Sequence, residues 1–280
     1  MTRLQGTAGT ALAIALPGAV GVALAASTGG RGTDAWVLWV PLVVALTTAT
    51  GALAVYGLRR WAELVELHPI EARVVVRPLA AGAVLALLAI NITGATTHGS
   101  FVNGVLLSMA TVLGSPVAAV MLGVRHVAGL SSQLPLRGEQ LALLLDLRSL
   151  LQRLLAVVSV FLALLTLQTG AFLALQHDLG TDFGDRPPQY VLVVGAFGSF
   201  LIGSFYAPGW SAIRNEARRL VDDLYPLAHQ HEAADVLAVA EARHRIAALA
   251  GTERTLLAEV QSDLILLAPL LAAIPALLVA

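Results

Sequence analysis

Tyr190-Val-Leu-Val-Val-Gly195-Ala-Phe-Gly-Ser199-Phe-Leu-Ile-Gly203-Ser-Phe-Tyr-Ala207 carries no charged side chain and is apolar almost throughout. It opens out of a loop bearing Asp182, Asp185, Pro187 and Pro188. Gly195, Ser199, Gly203 and Ala207 recur every four residues. On an α-helix that period lines up four small side chains in one groove, where a second helix can approach backbone to backbone. Pro208 and Gly209 predict a break in the helix. An arginine-rich amphipathic run follows, with Arg214, Arg218, Arg219, Leu220 and Leu224. The stretch therefore reads as a membrane span, its packing seam, its exit and the start of a water-facing helix.

Composition agrees. Mean hydropathy is +0.79, 57% of residues are hydrophobic and only 12% are charged, against roughly a quarter charged in soluble globular proteins. Several near-uncharged runs approach the length of about 20 residues that spans a bilayer. With six or seven such runs in 280 residues, no room remains for a large soluble domain. There is no cysteine, and all 17 basic residues are arginine. Disulfides, thiolate metal sites, P-loop phosphate binding and lysine Schiff-base chemistry are excluded.

Taken in order, Ala11–Ala26 is an apolar run with Ala11, Ala15, Ala19 and Ala23 at four-residue spacing. A cleaved signal peptide is the rival reading, because Ala23-Leu24-Ala25 fits a small-x-small cleavage site. Ala35–Leu58 is the second span, with Trp36 and Trp39 at one end and Tyr56 and Trp61 at the other, as interfacial aromatics sit. Residues 59–78 form a charged loop in which Trp61–Leu67 reads as a short surface helix ending before Pro69. Leu79–Thr97 and Phe101–Gly123 are the third and fourth spans, the latter with Ala110, Gly114 and Ala118 again at intervals of four. The loop 125–150 is basic. Gly138–His177 contains no proline, and beyond Gly138 only Gly170 interrupts good helix formers. As a helix it would be roughly 60 Å long, with its first part projecting beyond the membrane as a stalk. Beyond the opening stretch, 211–225 and 229–250 read as helices, and Thr252 as the N-cap of a last one with the apolar tail Leu264–Ala280.

Arginine placement sets topology. With Met1 inside and a crossing at each span, 15 arginines fall inside and two, Arg31 and Arg186, outside. This obeys the positive-inside rule and predicts a multi-pass plasma-membrane protein, bacterial in type, with a cytoplasmic N-terminus. Gly57-Leu-Arg-Arg-Trp-Ala-Glu-Leu64 and Gly123-Val-Arg-His-Val-Ala-Gly-Leu130 agree at four positions. Duplicated helical hairpins would produce this, and so would the habit of membrane exits to favour glycine then arginine.

One cluster has metal-ligand residue types, His229-Gln-His231-Glu232-Ala-Ala-Asp235. A zinc protease needs a second histidine one turn after the first, with a glutamate between; here that position is Asp235. A solvated helix start with acidic residues at the positive end of the dipole is the better reading. No metal site and no cofactor is expected. The Asn91–Asn103 hairpin is the most polar uncharged stretch near the membrane, and His98 within it either titrates at a pore mouth or sits in a wetted turn. The spans lack the mid-bilayer charges of ion-coupled transporters.

The expected fold is all-α: a polytopic bundle of six or seven spans over residues 1–210, a cytoplasmic helical region over 211–262, and a C-terminal apolar helix over 263–280. The leading functional expectation is a channel or other passive conduit, homo-oligomeric, lined by Thr47, Thr50, Asn91, Thr93, Thr97 and His98. The alternative is a membrane-embedded adaptor or sensor whose region 211–262 binds a cytoplasmic protein; a lipid-active enzyme is third. The lipid bilayer is the one certain surrounding, and no nucleic-acid partner is expected.

Overall fold

The structure is a computed structural model and describes residues 3–67, 70–96, 101–180, 187–226, 233–250 and 271. Every α-helix and turn among them belongs to one all-helical bundle: α1 (Arg3–Ser27), α2 (Asp34–Leu67), α3 (Ala72–Thr96), α4 (Phe101–Leu130), a 3-10 turn (Ser131–Gln133), α5 (Arg137–Asp178), α6 (Pro187–Leu224) and α7 (Ala233–Ala250). Five of these, α1, α2, α4, α5 and α6, are long and apolar enough to cross a membrane. The apolar stretch of α3, Val75–Leu88, is shorter. Of the six or seven spans expected, five have the length and composition of a span among the described residues.

Three sequence-derived boundaries move. Trp61–Leu67 is the last part of α2, not a separate surface helix. The basic segment 125–150 is mostly helical, since α4 continues to Leu130 and α5 begins at Arg137. Pro208 and Gly209 do not break α6, which runs from Pro187 to Leu224 without interruption. Pro17, Pro41, Pro78 and Pro116 also lie inside helices. Prolines are tolerated in membrane helices where packed neighbours and local adjustment satisfy the freed carbonyl, and Gly209 sits against α4 close to the backbone oxygen of Met121.

The turns at one end have clear causes. Thr33 accepts a hydrogen bond from the Trp36 amide at 3.2 Å and so caps α2. Gly180, at φ +67°, terminates α5 in the left-handed conformation that glycine adopts without a Cβ penalty. Gly30 packs on Leu175 and Leu179, placing the α1–α2 turn against the end of α5. At the opposite end, Arg59 donates to Thr10 at 2.8 Å and Arg137 pairs with Asp223 at 3.1 Å. The start of α1, the end of α2, the start of α5 and the end of α6 therefore meet there, with most of the charge.

α4 is the central helix and packs on α2, α3, α5 and α6. Its Val117, Val120, Met121, Val124 and Val127 are buried against Leu144, Leu147, Leu151 and Leu154 of α5 and Tyr206, Trp210, Ile213, Ala217 and Leu220 of α6. Three- and four-residue spacing puts these on one face of each helix. The first part of α5 is therefore a strand of a three-helix core, not a free-standing stalk. α1 rests on α2 alone for most of its contacts. There the backbones come close: a Cβ at Gly51 would lie 2.7 Å from the Ala13 oxygen.

Candidate functional site

Small side chains do two opposite things in this bundle. Where a facing backbone fills the space, they make close crossings. A Cβ on Gly57 of α2 would lie 2.7 Å from the amide nitrogen of Val117 on α4, and one on Gly51 of α2 would lie 2.7 Å from the Ala13 oxygen of α1. Where no backbone comes, they leave a void. Ala110, Gly114 and Ala118 of α4 line a cavity of about 250 Å³, with Gly82, Ala83 and Ala86 of α3 across from them. α5 contributes Phe161, Leu162 and Leu165, and α6 contributes Val194, Phe197, Gly198 and Leu201. α3 packs on α4 but makes no comparable contact with α6, so the cavity occupies the gap between those two helices.

Both ends of the α6 wall are aromatic. Phe205 reaches across to α3, and its ring stands 2.6 Å from where a Cβ on Gly82 would be. Tyr190 lies toward the other end, roughly 22 Å away along an α-helix. The lining offers few polar groups. The Thr111 hydroxyl donates to the Leu107 carbonyl at 2.9 Å, Ser115 to Val112 at 2.7 Å and Thr166 to Leu162 at 2.8 Å. Each hydroxyl is thus returned to its own helix, as is usual for Ser and Thr in apolar helices. Among the lining residues Tyr190 is the only one with an ionisable side chain. Such a site can hold an apolar molecule by dispersion and exclusion from water.

Of the sequence-derived candidates, Thr47 and Thr50 do not line this cavity. Thr47 and Thr50 are fully buried, and their hydroxyls donate to Val43 at 2.9 Å and to Leu46 at 2.7 Å on their own helix. Thr47 also packs directly on Gly21, so that side faces α1. Asn91 and Thr93 belong to α3. Thr97 and His98 lie outside the described residues, as do His229, His231 and Glu232, whereas Asp235 is in α7. Among the described residues no group of three metal-ligating side chains comes together. In the α6 ladder, Gly195 is buried, Ser199 and Ala207 are half-buried, and a Cβ on Gly203 would meet nothing within 4 Å. Backbone-to-backbone crossings lie at Gly51 and Gly57.

One feature of α5 escaped the sequence reading. Ser159, Gln168 and Thr169 are fully buried. Among the described residues neither amide atom of Gln168 has a hydrogen-bond partner, nor does the indole nitrogen of fully buried Trp39. Gln168 between Thr166 and Thr169 in the apolar middle of α5 was the available signal. Comparison with protein-family models, with curated proteins and with solved structures finds no match to this chain.

Proposed function

We propose that this chain is a multi-pass membrane sensor or adaptor that takes an apolar molecule, such as a lipid chain, into the α3–α6 cavity. One observation carries the reading: two of the helices that wall the cavity, α5 and α6, continue without a break into the charged end of the bundle. A ligand that moves α3 against α6 therefore acts on helices whose far ends carry the Arg137–Asp223 pair and the junction with α7. In this reading α3 is a sixth span, Leu264–Ala280 a seventh, the arginine-rich end is cytoplasmic, and the helical region from 211 onward meets a protein partner. The test is cavity filling. Ala118→Phe should displace an apolar fluorescent probe, or a co-purifying lipid detected by native mass spectrometry, from the solubilised protein. Unchanged occupancy in a folded variant would remove the cavity from the function.

A passive conduit is the second reading, favoured by the buried polar side chains Gln168 and Thr169 on α5 together with Thr47 and Thr50 on α2. Buried amides without partners are costly unless water or another chain satisfies them. Planar-bilayer recording decides it: Gln168→Leu should alter conductance if those residues meet a permeating species.

A further inference from the structure

At the charged end, Arg214 and Arg218 stand one turn apart on α6, and α7 brings Arg243 and His244 beside them around a groove of about 490 Å³. We infer that this groove binds a phosphate-bearing anion. Among the described residues, three guanidinium groups line it against one carboxylate, Asp222. Asp222 is itself committed, since Arg243 donates to it at 2.5 Å and also to the Tyr225 carbonyl at 3.0 Å. Arg243 is thereby held in place before any ligand arrives. Arg214 is held too: its guanidinium lies 5.0 Å from the ring centre of Trp210, which is buried. Arg218 is exposed and, among the described residues, makes no ion pair or side-chain hydrogen bond.

The neighbouring carboxylates do not neutralise the groove. Glu216 pairs with Arg219 at 2.7 Å, Asp223 with Arg137 at 3.1 Å and Glu241 with Arg245 at 2.6 Å. Guanidinium forks match the oxygens of phosphate in pairs, so fixed and free arginines around one groove suit that anion better than a single carboxylate. Arg214 is the first charged residue of α6 after Pro187, roughly 40 Å along an α-helix from it, a distance close to the full thickness of a bilayer with its headgroups. The groove therefore lies at headgroup depth, and an anionic phospholipid is the expected source; a soluble polyphosphate offers the same chemistry.

The inference is independent of what fills the apolar cavity. Full-length protein in neutral detergent is offered phosphatidylglycerol or phosphatidylcholine and read by native mass spectrometry, and separately titrated with pyrophosphate and read by thermal shift. Phosphatidylglycerol should be retained over phosphatidylcholine, and Arg214→Gln with Arg218→Gln should reduce that preference about tenfold, the loss expected for charge-assisted hydrogen bonds. Arg218→Gln alone, at an exposed position, serves if the double variant folds poorly, and should still weaken retention. Arg245→Gln, also exposed but paired on α7, should leave it unchanged. Stabilisation by pyrophosphate without lipid preference, lost in the Arg218 variant, assigns the site to a soluble anion. The inference is overturned if neither ligand is affected by the Arg214 and Arg218 changes, or if Arg245→Gln acts as strongly as Arg218→Gln, which would mean general charge attraction.

Discussion

The α4–α5–α6 seam at the charged end and the α3–α6 gap in the apolar part are built from the same central helix, yet one is closed and the other open. At the seam α4 presents Val120, Val124 and Val127 to leucines of α5 and to large side chains of α6, all buried. One to three turns earlier it presents Ala110, Gly114 and Ala118 to a void. The difference is one of side-chain volume against helix spacing. α3 is held by α4 but is not drawn to α6, and in hydrocarbon no hydrophobic gain closes such a gap, because lipid tails are as apolar as leucine. The closed seam reads as the mechanical body of the bundle, and the open gap as the place where another molecule fits.

The largest expected effect breaks the closed side. Leu151 is only 1% exposed and lies within the seam. Leu151→Ala removes its packing and leaves a cavity, which should cost about 2–5 kcal/mol, seen as a lower midpoint in thermal or denaturant unfolding. An unchanged midpoint would mean the seam is not a stabilising core.

The same substitution at two glycines should then differ in sign. Gly57→Ala puts a Cβ 2.7 Å from the Val117 amide nitrogen and should destabilise by about 1–3 kcal/mol through overpacking. Gly114→Ala, whose nearest neighbour would be Leu53 at 3.8 Å, should stabilise by about 0.4–1 kcal/mol because alanine restricts the unfolded chain. Equal shifts in melting temperature would contradict the distinction between crossing and void.

Gly203→Leu sharpens the comparison further. With nothing of this chain within 4 Å of its Cβ position, it should leave the stability of a solubilised monomer unchanged within about 0.5 kcal/mol, as substitutions away from structural features do. A change in oligomer size by light scattering would identify the Gly195–Ala207 ladder as a contact with a second copy. The smallest effect is expected at Asp223→Asn, which removes the exposed pair with Arg137. Exposed pairs contribute about 0.2–1 kcal/mol and less in high salt, so the loss should shrink between low-salt and high-salt melting curves.

Much of the bundle was legible before any coordinates. Apolar length alone identifies α1, α2, α4, α5 and α6 as helices able to cross a membrane. The absence of proline, with Gly170 the one glycine inside its length beyond the first turn, identifies the unbroken α5, and the arginines mark the end at which charge collects. Helix breaks were less legible. Proline has a fixed local cost, but whether Pro208 ends a helix depends on the packing around Gly209, which the local sequence does not contain. The candidate site was least legible. Small residues every four positions on α4 and on α6 look alike in the sequence, and only the positions of the neighbouring helices decide which of them line a cavity, which are buried, as Gly195 is, and which have an open Cβ position, as Gly203 has.

Sequence by itself thus determined the helical class, the membrane character and the polarity of charge along the bundle. Each is a sum over single residues or near neighbours, of transfer free energy, helix propensity or charge. Tertiary structure alone decided that Gly57 is crossed and Gly203 is not, that Thr47 looks at α1, and that Arg214, Arg218 and Arg243 share one groove. Those facts depend on distances between helices far apart in the chain, and such distances follow from the joint packing of all side chains rather than from any one segment.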